Sequence, residues 1–158
     1  INIQRSGLTN VLITLMHGKR FHDFLFDKIL VDAPCSGTGT IRKSLKTINI
    51  WNAGMIKKLA RMQIQLLENA YNNLKEGGEL VYSTCSLEPE ENEGVIHLFL
   101  EKFPDAKIEE VKLPGLKVAK PVMEFNGVKY NPQVKNVLRI WPQDNDTEGF
   151  FVCKIKKP

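Results

Sequence analysis

Apolar positions along the chain follow two different periods. Asn10–Leu15 and Phe26–Asp32 are short, nearly continuous apolar runs. Runs of this length read as buried strands. The second stops at Ala33-Pro34, because proline has no N–H to give a sheet ladder. A loop rich in Gly, Ser and Thr follows. Met55, Leu59, Met62, Leu66, Ala70 and Leu74 then recur every three or four residues. That spacing predicts an amphipathic helix of roughly five turns, stopped by Gly77-Gly78. Glu79–Thr84 reads as the next strand. Pro89 suits the first turn of a second helix, and Glu90, Glu91 and Glu93 suit its positive end. Val95, Ile96, Phe99, Leu100 and Phe103 give that helix a buried stripe. Ile108–Leu113 and Phe150–Ile155 read as two late strands, separated by an irregular stretch that holds Pro114, Pro121, Pro132 and Pro142.

Strands alternating with helices predict an α/β fold with a mostly parallel sheet and a late antiparallel hairpin. In such sheets ligands bind beyond the carboxyl ends of the strands. Asp32-Ala33-Pro34-Cys35 and Ser83-Thr84-Cys85 both lie at such ends. Consecutive parallel strands are often neighbours, so Cys35 and Cys85 are expected to lie close together.

Composition narrows the picture modestly. The chain has 158 residues, 42% hydrophobic and 25% charged, as expected for a globular domain. Its net charge of +4 is compatible with a polyanionic partner but is scattered rather than concentrated in runs. No apolar run approaches the roughly 20 residues needed to cross a bilayer, so no membrane association is expected. Ile1–Arg5 lacks a signal-peptide pattern. The three cysteines, at 35, 85 and 153, form neither an even disulfide set nor a Cys-x-x-Cys spacing. A reducing, cytoplasmic setting without a metal is the expectation.

Cysteine is a strong nucleophile once ionised, and its ordinary pKa near about 8.5 means that a site must help. A helix beginning near Pro89 would help Cys85, and backbone donors in Ser36–Thr40 would help Cys35. Either cysteine alone reads equally well as a small buried hydrophobe, and Cys153, inside an apolar strand, reads best that way. Asp32 alone could be a turn former. The glycines at 37 and 39 could cradle a phosphate, but the lysine of a nucleotide-binding loop is absent. His22 and His97 read as surface or packing residues.

Two longer motifs make the chain specific. Asp27–Gly39 resembles the fourth motif, and Leu80–Glu93 the sixth motif, of the RNA 5-methylcytosine methyltransferases of the Nol/Nop/Sun family. Arg139-Ile140-Trp141-Pro142 and Gly149-Phe150-Phe151 are similar to its closing segment. The resemblance implies a Rossmann-like methyltransferase fold, S-adenosylmethionine as methyl donor, and tRNA or rRNA as partner. It implies that Cys85 adds to carbon 6 of cytosine, that Cys35 assists release, and that Asp32 contacts the base. Cofactor contacts are implied at Asp32, Pro34 and His17. His17 stands where the family often carries an acidic residue near the adenine.

The family's first motif and its ribose-gripping acid do not occur in this chain. The family sheet runs 3-2-1-4-5-7-6, and this chain is expected to supply strands 3 to 7. Residues 1–158 are therefore expected to be the C-terminal part of one catalytic domain, partnered by a missing N-terminal half. Two alternatives stand beside this reading: an RNA-binding or assembly protein that keeps the fold without catalysis, and a thiol redox protein.

Overall fold

A computed structural model describes residues 2–158. In chain order its strands are β1 (Phe26–Asp32), β2 (Leu74–Thr84), β3 (Lys107–Glu109), β4 (Glu124–Phe125), β5 (Val128–Lys129), β6 (Leu138–Ile140) and β7 (Phe150–Lys156). Its helices are α1 (Asn2–Arg5), α2 (Lys46–Ile50), α3 (Ala53–Asn72), α4 (Glu93–Lys102) and α5 (Pro142–Asn145).

The main sheet runs β1-β2-β7-β3, and β6 pairs with the opening residues of β7. β1 and β2 are parallel, while β7 is antiparallel to β2, β3 and β6. Four strands therefore point one way and only β7 opposes them. This is the mostly parallel α/β arrangement expected, with β3 and β7 as the late antiparallel pair, although β3 covers only Lys107–Glu109 and the rest of the strand expected over Ile108–Leu113 does not form. The order also matches the 4-5-7-6 portion of the family sheet.

Three sequence expectations need correction. Asn10–Leu15 is not a strand: Leu12 is 89% exposed and Ile13 74%. Strand geometry requires a partner for its backbone groups, and none of the described residues offers one beside this segment. The helix stripe is rotated by one residue. Ile56, Gln63, Leu67 and Tyr71 are the buried positions of α3, whereas Leu66 and Ala70 line a cleft of about 340 Å³ along the open side of β1. A polar glutamine in the middle of the buried stripe hid the true face. Finally, α3 stops before Gly77-Gly78. The Asn73 side chain donates to the carbonyl oxygens of Asn69 and Phe21 and closes the helix there. Leu74, assigned by periodicity to the helix, is a buried strand residue. The two glycines sit within β2, where the register against β1 slips between Leu74 and Glu79.

The core is one cluster between the sheet and the helical pair α3 and α4. It includes Leu67, Tyr71, Leu80, Tyr82, Val95, Ile96, Phe99, Phe151 and Ile155. The stripe expected on α4 is the one it buries, with Phe103 partly buried at its end. Ile108 and Cys153 also join this core. Within the irregular stretch, β4 and β5 form a small hairpin about Asn126-Gly127, both at positive φ (51° and 77°). An Asn-Gly pair is the residue combination this tight turn favours. Among the described residues no helix is long and apolar enough to cross a membrane.

Candidate active site

Register explains how two cysteines 50 residues apart meet. Asp32 of β1 lies opposite Ser83 of β2 in the parallel ladder. One further bond, from Ala33 N–H to the Ser83 carbonyl (3.0 Å), carries the pairing past the strand end. Pro34 then ends it. Cys35 and Cys85 leave their strands almost level, and their Sγ atoms stand 3.1 Å apart.

Two loops hold this meeting point. Gly39 N–H donates to the Cys85 carbonyl and Gly149 N–H donates to the Gly39 carbonyl, both at 2.9 Å. A Cβ on Gly39 would lie 2.5 Å from the Gly149 oxygen and 2.7 Å from the Cys85 oxygen, so only glycine fits. Gly39 and Thr40 therefore spend their amides on the protein itself, which leaves the phosphate-cradle reading of residues 37–40 two donors short.

The thiols are electrostatically unequal. The Cys35 thiol, as hydrogen-bond partner, pulls Cys85 down to about 7, although burial and the carboxylates of Asp32 and Glu148 push the other way. The same contact, with burial, pushes Cys35 far above the ordinary thiol range. Cys85 is thus the sulfur that ionises near neutrality, and Cys35 stays protonated beside it. The expected helix-terminus activation of Cys85 does not operate. Pro89–Glu91 forms only a short 3-10 turn, and α4 begins at Glu93, while a helix dipole acts over about its first turn. Cys153 is wholly buried, and burial pushes its thiol up.

Asp32 is exposed and accepts a hydrogen bond from Ser83 Oγ (3.2 Å). Pro34 is also exposed, and its carbonyl accepts from Gln63 Nε2 (2.9 Å). Asp32, Pro34, Cys35 and Cys85 therefore share one end of the sheet. His17 does not join them by any hydrogen bond. Its exposed ring caps a short turn by accepting from Lys19 N–H. Of the other histidines, His22 is exposed and His97 packs against Tyr130.

Sequence reading missed what lies beneath the cysteines. Glu91, Asn92 and Glu93 are each fully buried. The Glu91 carboxylate accepts from Ser36 N–H (3.0 Å), Ser86 Oγ (2.8 Å) and Gln63 Nε2 (2.8 Å). Asn92 straddles Cys85: its oxygen accepts from Thr84 Oγ1 and its nitrogen donates to the Ser86 carbonyl. Glu93 pairs with Arg139, itself fully buried, and Arg139 also donates to the Leu87 carbonyl (2.8 Å). The signal available was the spacing. Acidic residues and an asparagine six to eight positions after a strand-end cysteine are within reach of its loop.

A cofactor site can be tested on the residues present. Asp32 is an exposed acceptor of the kind that receives an ammonium group, and it borders the cleft along β1. The rest of that cleft is mainly apolar, with Phe21, Phe26, Ile29 and Leu66 among its lining, and it carries no second carboxylate. The lining thus offers an acceptor suited to the amino end of a methionine-bearing cofactor and no second carboxylate for a ribose. No cluster of three or more metal-ligating side chains occurs among the described residues.

A family profile described as 16S rRNA methyltransferase RsmB/F matches residues 1–156. The chain is 46% identical, over 99% of its length, to a tRNA (cytosine(49)-C(5))-methyltransferase of Pyrococcus abyssi, of which it covers 50%. It is 40% identical to a ribosomal RNA small subunit methyltransferase F of Shewanella piezotolerans and covers 32% of that protein. Among solved structures, a methyltransferase homolog from Pyrococcus horikoshii superposes with a TM-score of 0.81 at 38% identity, covering 99% of this chain and 48% of that one. NSun6 from Pyrococcus horikoshii, solved with SFG, superposes at 0.78 with 32% identity, covering 99% and 37%. The chain spans half or less of the length of these relatives.

Proposed function

Since the chain belongs to the RsmB/F methyltransferase family, we propose that it carries the base-handling part of an enzyme that methylates carbon 5 of cytosine in RNA. The observation that carries this reading is the meeting of two free thiols, Cys35 and Cys85, 3.1 Å apart at the strand ends of β1 and β2 that also carry Asp32. Addition to carbon 6 of a pyrimidine needs a thiolate at neutral pH, and Cys85 is the sulfur pulled down to about 7.

In the proposed sequence the Cys85 thiolate bonds to carbon 6, which makes carbon 5 nucleophilic. S-adenosylmethionine, when bound, supplies an electrophilic methyl group. After carbon 5 is methylated its proton is lost to a base, and the carbon–sulfur bond breaks to release Cys85. Cys35, whose sulfur lies 3.1 Å away, would donate a hydrogen bond to the departing Cys85 thiolate and so assist release. Asp32 would accept from the cytosine amino group, a donor that uracil lacks. The target base has to be unpaired or turned out of its stack to reach these groups.

The proposed cofactor contacts are Asp32 and Pro34, which share the open end of the sheet. His17 is proposed for the adenine end, because its neighbours Met16 and Gly18 line the same cleft as Asp32. The NSun6 relative solved with SFG, an S-adenosylmethionine analogue, supports this choice of donor. We also propose that residues 1–158 form the C-terminal part of one catalytic domain. The half-length coverage of relatives and the strandless edge of β1 support that division. Three free thiols suit a reducing compartment such as the cytoplasm.

The test is product analysis. The full-length protein, incubated with labelled S-adenosylmethionine and unmodified tRNA or rRNA, is expected to yield 5-methylcytidine on nuclease digestion. Label on another nucleoside would overturn the reaction assignment. RNA binding with no label transferred would favour a non-catalytic RNA-binding or assembly protein.

A further inference from the structure

We propose that Glu91 is a positioning residue whose buried carboxylate ties the chain beside Cys35 to the chain beside Cys85 and thereby fixes the distance between the two thiols. The inference rests on the reading of Cys85 as nucleophile, and it concerns how that sulfur is kept ready.

A carboxylate with no exposed surface is costly unless its lone pairs are satisfied. An apolar side chain would fill the same space at lower cost if packing were all that was needed. Every side-chain bond that Glu91 makes leads instead to a neighbour of a reactive cysteine. Ser36, which follows Cys35, donates its backbone N–H. Ser86, which follows Cys85, donates its hydroxyl. Gln63 Nε2 donates both to Glu91 and to the carbonyl of Pro34, which precedes Cys35. Two acceptors on one side of the Gln63 amide fix its orientation, and its Oε1 is left buried with no partner among the described residues. An orphaned acceptor is a real cost, tolerated here for the two bonds made opposite it.

The hydroxyl count agrees. Ser86 Oγ gives its one proton to Glu91, so it accepts from Ser36 Oγ and from Glu88 N–H, each at 3.0 Å. The Ser36–Ser86 hydroxyl bond thereby ties the two loops directly as well. The Glu91 backbone is itself anchored from the sheet, since Tyr82 Oη donates to its carbonyl (2.7 Å). The anchored atoms lie one residue from each sulfur. A slip of roughly 1 Å at Ser36 or Ser86 would stretch the 3.1 Å thiol contact past useful hydrogen-bond range. The other charged groups facing Cys85 are the carboxylates of Asp32 and Glu148, and both oppose its ionisation. The Cys35 contact is therefore what keeps Cys85 reactive, and Glu91 is what keeps that contact.

The experiment reads thiol ionisation rather than methylation. Cys85 in the full-length protein is alkylated with iodoacetamide across roughly pH 5 to 10, which brackets both the lowered and the ordinary thiol value, and the modified peptide is quantified by mass spectrometry. In Glu91→Gln one of the two acceptor oxygens becomes an NH2 group, so either Ser86 Oγ or the Gln63 and Ser36 donors lose their acceptor, and the midpoint is expected to rise from about 7 by one pH unit or more. Alkylation at neutral pH should slow about two-fold or more, the loss of thiolate being partly offset by the higher nucleophilicity of the more basic sulfur. Ser86→Ala, which removes only one arm of the clamp, should shift the midpoint in the same direction by less. A folded Glu91→Gln protein with an unmoved midpoint would overturn the proposal. Should that variant not fold, an unmoved midpoint in Ser86→Ala would do so. A wild-type protein with the expected thiol profile but no methylation would count against the proposed function alone.

Discussion

Cys35 and Cys85 show how little of a reactive residue is visible in its own letter. Each alone reads as a small hydrophobe. Their meeting was legible, because two parallel strands that end in Asp-Ala-Pro-Cys and Ser-Thr-Cys leave the sheet at nearly the same level. The titration was not legible, since it depends on a 3.1 Å contact between the sulfurs that lowers Cys85 against the opposing carboxylates of Asp32 and Glu148. The sign of the pH dependence follows. Cys85 reactivity should climb about tenfold per pH unit below neutrality and level off above about 7. Replacing Cys35 with Ala removes the stabilising donor, so the Cys85 midpoint should move up toward about 8.5. Alkylation rates measured against pH check both statements, and a midpoint unchanged in Cys35→Ala would refute the donor role. Gly39 makes a second residue-scale case. Gly39→Ala would press a methyl group against the Gly149 and Cys85 carbonyls. Overpacking of this kind typically costs about 1–3 kcal/mol. Thermal melts should show the loss, and turnover should fall further than stability does because the Cys85 backbone must shift.

Among the elements, Asn10–Leu15 failed as a strand for want of a partner among the described residues, while α3 and the turn before α4 misled because polar residues are buried there. Gln63 occupies the centre of the buried face of α3. Glu91 and Glu93 are interior although their letters suggest a solvated helix start. Strands β1, β2 and β7 were easier, because continuous apolar runs that find a sheet partner are not disturbed by a buried polar network. Arg139 belongs to that network. It joins β6 to Glu93 of α4 and to the Leu87 carbonyl after Cys85, and its guanidinium lies over Trp141. Arg139→Met should leave the Glu93 charge stranded. Breaking a buried pair from one side costs about 3–5 kcal/mol, a fall in Tm of roughly 6 °C or more for a domain of this size. Adding Glu93→Leu should recover part of it. A double variant no more stable than the single one would show that the charge itself is not the issue.

At the scale of the whole molecule, the exposed side of β1 organises the account. The strand has one partner, the cleft beside it is lined by Met16, Phe21, Leu66 and Ala70, and the segment before it leaves Leu12 in solvent. These apolar surfaces are the ones an upstream half of the same domain would cover. Residues 1–158 expressed alone should accordingly show no saturable binding of S-adenosylmethionine at micromolar concentrations by calorimetry, whereas the full-length protein should bind it. Saturable micromolar binding to the isolated piece would refute the division of the site between two halves. The central claim is that Cys85 attacks and Cys35 releases, and one measurement addresses it directly. Full-length Cys35→Ala and Cys85→Ala proteins are incubated with substrate RNA and S-adenosylmethionine, run under denaturing conditions, and the protein–RNA adduct is mapped by mass spectrometry. The account predicts that Cys35→Ala accumulates an adduct on Cys85 and that Cys85→Ala forms none. An adduct on Cys35 in the Cys85→Ala protein would contradict it.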